Sequence, residues 1–304
     1  MFAIALFCAS LSWAAVTLGQ GSSEDDFGNE RAQRSQLRAL IYHETTGFRH
    51  ASIPYAIDQL RLWGAANGIQ MTADQTSQQF TNRGLRRYDV VIWLNTVGGV
   101  RGDAPLLSSS ERRAFERYME RGGNYAGIHG ASDCCDEWEW YGDLLGNGAR
   151  FANHPGGEPL SPGCIGSRPR ETNLRGQTGS CFQARVITED RRHPSTEHLP
   201  QRWNISDELY NFRANPRSTV HVLQTLDESS YNMNPHPFIR NWGTLMGEDH
   251  PITWCQFYEG GRMWYTGLGH DATTFAEHDS MTMIINGVLW AAGRGGPSGC
   301  RDEG

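Results

Sequence analysis

The chain has 304 residues and a formal net charge of −7, with 38% hydrophobic and 20% charged residues. This composition supports a packed core and argues against wholesale disorder. The acidic balance argues against nucleic acid or an anionic membrane as the main partner, because both bind basic surfaces.

The first predicted element is a secretory signal peptide at residues 1–20. Its apolar stretch is too short to span a bilayer and gives way to the polar run GSSEDD. Residues 21–36 are polar and predict a linker to the folded domain. The chain shows no apolar tail, so we expect a secreted, extracellular protein without a membrane anchor.

The cysteines agree with export. The chain has seven, of which one lies in the predicted signal peptide, and an even number is then left for disulfides. We predict a Cys164–Cys181 disulfide that closes an insertion at about 156–182. For Cys134 and Cys135, disulfide bonding is favoured over a thiol nucleophile. Asn204 begins an Asn-x-Ser sequon and is predicted to be glycosylated.

From residue 37 the sequence alternates between apolar runs and helical spacing, which predicts βαβ units with a parallel sheet. Residues 52–67 and a segment opened by the capping box of Ser108 and Glu111 predict helices. The first four predicted strands are LRALIYHE (37–44), IQMTAD (69–74), YDVVIWLN (88–95) and NYAGIHG (124–130).

The second half begins with an irregular stretch at 147–182, rich in Gly, Pro, Ser and Arg, which predicts a long loop. Further strands are predicted at FQARVIT (182–188) and TVHVLQTL (219–226), and a hairpin at ITWCQFY (252–258) with RMWYTGLG (262–269).

A closing helix is predicted at 279–292, followed by a loose tail at 294–304. The folded domain is therefore predicted to span residues 37–293.

Polar residues follow several predicted strands at the edge where open parallel sheets bind ligands. Three histidines from separate segments predict a pocket there, because imidazole binds metals, transfers protons and hydrogen-bonds to sugar hydroxyls. The spacing does not choose among these roles, and neither an HExxH nor a CxxC pattern is present. These strand-end residues are Arg49, His50, Asn95, His129, Asp133 and His270.

His129 raises its own question, because GIHGASD (127–133) ends a strand where some α/β enzymes carry a nucleophile on a sharp turn. A histidine there predicts a group that moves protons or holds a metal. The plain alternative is a core strand that ends in histidine.

Two further sets of residues are candidates. Trp138, Trp140 and Tyr141 could stack on sugar rings or serve as core aromatics. In SDELYNF (206–212), Asp207, Glu208 and Tyr210 stand side by side. A carboxylate from this stretch could face His129 or His270 as an acid/base partner, or the stretch could be a solvated acidic loop.

Together these stretches resemble the trehalose-utilisation (ThuA-like) family. The resemblance implies a three-layer, flavodoxin-like α/β domain, similar to class I glutamine amidotransferases, with helices on both faces of a parallel sheet and an added hairpin. It is carried by TTGFRHASI (45–53), YDVVIWLNT (88–96), GIHGASD (127–133), WYGDLLG (140–146), FANHP (151–155), HPST (193–196), DELYNF (207–212), DHPITW (249–254) and GGRMWYTGLGH (260–270).

The amidotransferases carry a cysteine at the turn where this chain and ThuA-like proteins have histidine. His129 cannot support thiolate chemistry, so glutamine hydrolysis is not expected. By motif, the resemblance singles out the polar positions His50, His129, Asp133, His154, Glu208, His250 and His270.

We therefore expect a secreted, monomeric carbohydrate-active enzyme that cleaves glycosidic bonds by hydrolysis or elimination. His129 and His270 are predicted as acid/base groups or ligands of a divalent metal such as zinc, with Glu208 or Asp133 as carboxylate partner. The alternatives are a secreted carbohydrate-binding protein without catalysis and a metal-dependent enzyme with a non-sugar substrate. Substrate contacts are predicted for Arg49, His50, Asn95, Trp138, Trp140, Tyr141, His154, Tyr210 and His250.

Overall fold

The strands form one large mixed sheet and one short ribbon, in a computed structural model that describes residues 36–154, 182–231, 246–295 and Cys300. They are β1 (Leu37–Tyr42), β2 (Ile69–Asp74), β3 (Val90–Leu94), β4 (Tyr125–Ile128), β5 (Phe151–Asn153), β6 (Phe182–Thr188), β7 (Arg202–Asp207), β8 (Asn211–Phe212), β9 (His221–Asp227), β10 (Pro251–Tyr258) and β11 (Gly261–Thr266). The large sheet has the order β2-β1-β3-β4-β11-β10-β9-β6-β7, and β5 pairs with β8.

The first half of the large sheet is parallel, from β2 through β1, β3 and β4 to β11. Every residue of β3 and β4 is buried, because helices cover both faces of these strands and leave no place for a polar face. The continuous apolar runs of the sequence predicted these strands correctly. Their carboxyl ends lie along one edge of the sheet.

The second half is antiparallel, through β10, β9, β6 and β7. The predicted hairpin is β10–β11, and it lies inside the main sheet because β11 also pairs with β4. The sheet is therefore mixed, and its parallel half agrees with the predicted α/β fold, whereas the predicted hairpin joins that half to the antiparallel strands. Strand β7 was not predicted, although Trp203 and Ile205 alternate with polar residues in RWNIS, a pattern typical of a half-buried strand.

Six α-helices complete the described part of the chain. Trp93 on β3 contacts Phe115 and Tyr141 from two of them, whereas Trp264 on β11 lies against Gly287 of a third. Trp93 and Tyr265 align across β4, and neighbouring residues of a strand point to opposite faces, so the helices form layers on both sides. They are α1 (Ile53–Ala66), α2 (Asn82–Leu85), α3 (Ser109–Glu120), α4 (Glu139–Leu145), α5 (Ala272–Ala276) and α6 (His278–Ala291).

The capping box that predicted α3 is present. The Ser108 hydroxyl accepts from the Glu111 backbone amide, and the Glu111 carboxylate accepts from the Ser108 amide. None of the helices in the described segments combines the length and apolar composition needed to cross a bilayer.

The described segments contain two disulfides, Cys134–Cys135 and Cys255–Cys300. They confirm disulfide bonding for these cysteines, and the second fixes Cys300 to β10, where a loose tail was predicted. The predicted Cys164–Cys181 pair lies outside the described residues, as do the predicted signal peptide and linker.

Candidate functional site

Four side chains converge at the carboxyl edge of the sheet: His50, His129, Glu208 and His270, here called the His/Glu cluster. Their ligand atoms all lie within 4.8 Å of one another. They follow β1, β4, β7 and β11. Strand β7 runs in the same direction as β11, because the four pairings from β11 through β10, β9 and β6 to β7 are all antiparallel. The structure thus brings together the predicted centre, His129 and His270, with Glu208 rather than Asp133 as carboxylate.

His129 occupies a sharp turn. Its φ is +46°, in the left-handed region, which costs a non-glycine residue on the order of 1 kcal/mol. Gly130 follows, where a Cβ atom would lie 3.1 Å from Asn95 Cα and from His50 Cε1. The turn is therefore packed tightly against the neighbouring loops, which holds the His129 ring in the cluster.

The tautomer of His129 follows from its hydrogen bond. Its Nδ1 lies 2.7 Å from the Gly267 carbonyl oxygen, and a carbonyl only accepts, so Nδ1 carries a hydrogen. In the neutral ring, Nε2 then presents a lone pair to the cluster. Metal-binding histidines commonly donate the hydrogen of their other ring nitrogen to a backbone carbonyl, which orients the ring.

Glu208 is the meeting point of the imidazoles. Its Oε2 lies 3.3 Å from His129 Nε2 and 2.7 Å from His270 Nδ1, and its Oε1 lies 3.7 Å from His154 Nδ1. Nevertheless His129 Nε2, His270 Nδ1 and His50 Nδ1 are buried without an aligned hydrogen bond to any described residue. His270 Nδ1 still forms an ion pair with Glu208, whereas a bound ion or ligand group would give His50 Nδ1 and His129 Nε2 a partner.

Opposing effects set the charges of the cluster. Burial disfavours an ionised Glu208, but His270, His154 and His129 outweigh it and hold the pKa of Glu208 well below its usual value. Burial likewise disfavours a charged His270, yet the Glu208 carboxylate prevails and raises the pKa of His270 to about 9. Burial, then His129 and His270, keep the pKa of His50 well below its usual value. Without a bound cation, the cluster at neutral pH holds ionised Glu208, protonated His270 and neutral His50.

Asp207, a buried carboxylate that the sequence placed in the same acidic set as Glu208, does not face the histidines but positions two members of the cluster. Asp207 Oδ2 accepts from Gly269 N at 2.7 Å and from Thr274 Oγ1 at 2.6 Å. Its Oδ1 accepts from the amides of Glu208, His270 and Asp271 at 2.9, 3.1 and 3.2 Å. Gly269 meets this geometry with a φ of +128°, which residues with a Cβ rarely adopt.

Three residues that were predicted to contact substrate are buried behind the cluster, where they hold its loops and rings in position. Asn95 is fully buried, donates to the Gly269 carbonyl at 3.0 Å and accepts from the Gly130 amide at 3.1 Å. The buried Tyr210 ring packs on His129 with centroids 4.0 Å apart. His250 is fully buried, with its ring nitrogens 2.8 Å from the Tyr210 carbonyl and from the Glu228 carboxylate. The structure therefore assigns these three a positioning role, which corrects the prediction.

Asp133 and Arg49 do not join the cluster either. Both Asp133 oxygens accept from Arg101, at 2.8 and 2.7 Å, so this carboxylate is already paired. Arg49 is exposed and its guanidinium donates to the His43 carbonyl at 3.0 Å, which turns it towards His43.

The predicted stacking wall is part of the core. Trp138 and Tyr141 are buried, and Trp138 stacks on Tyr141 and on the partly buried Trp140. Trp138 and Tyr141 also contact Trp93 under α3. This corrects the prediction for Trp138 and Tyr141, because buried rings between sheet and helix cannot receive a sugar, whereas the contact predicted for the partly buried Trp140 stays a prediction.

Two side chains border the cluster and reach solvent. His154 was a predicted contact; its side chain is 33% exposed beside Glu208. Phe48 was missed, although it stands in the GFRH loop immediately before His50, and its ring lies next to the rings of His50 and His270.

Comparison with known proteins agrees with this fold. The family model ThuA, described as trehalose utilisation, matches residues 38–291. A putative ThuA-like protein from Bacteroides uniformis is 24% identical with a TM-score of 0.61, over 84% of this chain and 91% of that chain. One from Parabacteroides merdae is 17% identical with a TM-score of 0.57, over 85% and 90%. No curated protein matches this chain.

Asp207→Asn should destabilise the protein by about 2–4 kcal/mol, because an amide nitrogen replaces an acceptor oxygen and leaves buried donors unpaired. The measurement is the free energy of unfolding in urea. The matched control is Asp133→Asn, whose partner Arg101 has a 54% exposed side chain, so its loss should be about 1 kcal/mol or less. Equal losses for the two variants would contradict the role given to Asp207.

Stability of the protein without bound cations should depend on the His270 proton. The pKa of His270, about 9, lies above its ordinary value of 6.5, so the proton stabilises the fold fully below 6.5, and this contribution is lost as pH rises through 9. Urea denaturation of chelator-treated protein should show the advantage of wild type over His270→Asn shrinking by on the order of 3 kcal/mol across this range.

The control is His278→Asn, at a histidine with a 78% exposed side chain, which should follow wild type at every pH. A constant difference between wild type and His270→Asn across the range would show that the Glu208–His270 pair does not behave as described.

Proposed function

Because this chain belongs to the trehalose-utilisation (ThuA) family, we propose that it is a secreted carbohydrate-active enzyme that cleaves glycosidic bonds, by hydrolysis or elimination. The family description indicates a role in carbohydrate metabolism. The observation that carries the proposal is the His/Glu cluster, where two buried imidazoles and the partly buried His270 meet one ionised carboxylate at the ligand-binding edge of the sheet.

In this proposal the cluster holds a divalent metal such as zinc. Three features support it: ligand atoms within 4.8 Å of one another, three ring nitrogens without aligned partners, and the carbonyl that orients His129. Imidazole nitrogen with one carboxylate is a donor set that suits zinc and other first-row cations. A cation would accept the lone pair that His129 Nε2 presents to the cluster, and its binding would release the His270 proton.

When bound, such a cation would polarise a sugar oxygen or activate a water molecule. The chain's own residues orient the substrate. His154 Nδ1 lies 3.2 Å from the Leu209 carbonyl oxygen, which holds the ring at the opening of the cluster. Its other ring nitrogen can then exchange a hydrogen bond with a sugar hydroxyl.

The alternative of a binding protein without catalysis relied on the aromatic wall of Trp138, Trp140 and Tyr141. Trp138 and Tyr141 are buried, and only Trp140 of the three is partly exposed, so this alternative has less support than the cluster gives to catalysis. A second group of potential ligands, His193 with Cys255 and Cys300, is occupied by the disulfide between the two cysteines.

Metal content tests the proposal. Purified wild type should carry about one divalent cation per chain by plasma mass spectrometry. His129→Ala and Glu208→Gln should each lose roughly tenfold or more of it, since each removes a ligand. His278→Ala, at an exposed histidine, should retain the full content. Equal metal content in all four proteins would overturn the assignment of the site.

Cleavage is tested separately on disaccharides, trehalose among them, and on plant and fungal polysaccharides. New reducing ends report hydrolysis, and ultraviolet absorbance of an unsaturated product reports elimination. Wild type should release product, chelator should abolish this, and His129→Ala should lower the rate by about 100-fold or more. Product formation that is equal in wild type and His129→Ala would reject the cluster as the reaction centre.

Export is the remaining part of the proposal, supported by the apolar N-terminal stretch and by two disulfides. The side chain of Asn204 is exposed on the edge strand β7, where a glycan can be attached. Expression in a eukaryotic secretory host should yield protein in the medium that begins near residue 20 and loses mass after glycosidase treatment. An intact N-terminus on intracellular protein would contradict export.

A further inference from the structure

Phe48 is an exposed aromatic side chain at the mouth of the His/Glu cluster. It is 47% exposed, and Leu62, at 63%, is the other large hydrophobic residue that is exposed in the described segments. Single exposed apolar residues are common and need no function. Phe48 differs from Leu62 in its position, because the Phe48 ring lies beside two members of the cluster.

The ring is held against those two histidines. It meets His50 edge to face with centroids 4.8 Å apart, and lies nearly parallel to His270, at 15° and 6.4 Å. The loop before it is fixed by two hydrogen bonds, since the amides of Thr46 and Gly47 donate to the Val97 carbonyl at 3.0 and 3.1 Å. The open part of the ring is therefore presented in one place, which lowers the entropy cost of packing a ligand on it.

The same mouth offers hydrogen bonds. His154 is partly exposed and lies 3.7 Å from Glu208, and Glu208 lies 2.7 Å from His270, the ring beside Phe48. An apolar surface and polar groups thus flank one carboxylate. A ligand that satisfies both must have an apolar face and a polar edge, which describes a pyranose ring with its C–H face and its hydroxyls.

We propose that Phe48 is the platform on which a pyranose ring of the substrate stacks, so that its hydroxyl edge reaches His154 and the cluster. The proposal rests on the proposed function and narrows its substrate class to pyranosides. Aromatic packing on such a face contributes on the order of a tenfold gain in affinity. Phe48 is then a specificity-determining residue of the site.

The experiment measures binding of trehalose, maltose and cellobiose by ligand-observed NMR, with sorbitol as a hydroxyl-rich probe that has no ring. Phe48→Ala should weaken binding of the preferred disaccharide by roughly tenfold, and Phe48→Trp should stay near wild type. Leu62→Ala is the matched control and should bind as wild type does. Sorbitol binding should be equal in all four proteins.

Metal content is measured on the same samples, and Phe48→Ala should keep it, because Phe48 offers no ligand atom. Disaccharide binding that is equal in wild type and Phe48→Ala would overturn the platform, and so would the failure of all three disaccharides to bind wild type. Either result leaves the metal and cleavage tests to decide the proposed function independently. Loss of binding in Leu62→Ala as well would also reject the specific role of Phe48.

Discussion

The buried carboxylate of Asp207 is the contact on which the rest of the site depends. It accepts from three successive amides of the loop that carries His270 and from the amide of Glu208. One side chain therefore fixes both partners of the closest ion pair in the cluster. Acceptors on buried amides are costly to lose, so the distance between Glu208 and His270 is set by the fold rather than by their own attraction.

Around this contact the protein keeps polar groups in an unfavourable setting. His129 adopts a left-handed backbone conformation, and nitrogens of three histidines are buried without aligned partners. Such unfavourable conformations and unpaired groups persist where the contacts of the surrounding structure hold the residues in place. Here three buried residues, Asn95, Tyr210 and His250, provide those contacts. Asn95 and His250 hydrogen-bond to loops that carry cluster residues, and Tyr210 packs on His129. The residues behind the cluster thus explain how it can exist, and those at its mouth, Phe48 and His154, explain what it can receive.

Several elements were readable from short stretches of sequence. The capping box of Ser108 and Glu111 predicted α3, and continuous apolar runs predicted β1, β3 and β4, because these signals are local. Strand β7 was not predicted although its alternating exposure is a strand pattern, because it runs directly into the acidic stretch SDELYNF. The role of Asp207 could not be predicted for a different reason: nothing in SDELYNF distinguishes a carboxylate that binds backbone amides from one that faces water.

The sequence by itself determined the α/β layering and the presence of histidines at the ends of parallel strands, since burial on both faces and strand direction follow from local pattern. Only the tertiary structure decided that Glu208 and not Asp133 completes the cluster, because Arg101 pairs with Asp133 and β7 runs in the direction of β11. It also decided that Trp138 and Tyr141 fill the core while Phe48 stays exposed. The sequence around an aromatic residue does not show whether other residues will cover its ring, because this depends on which helix packs above it.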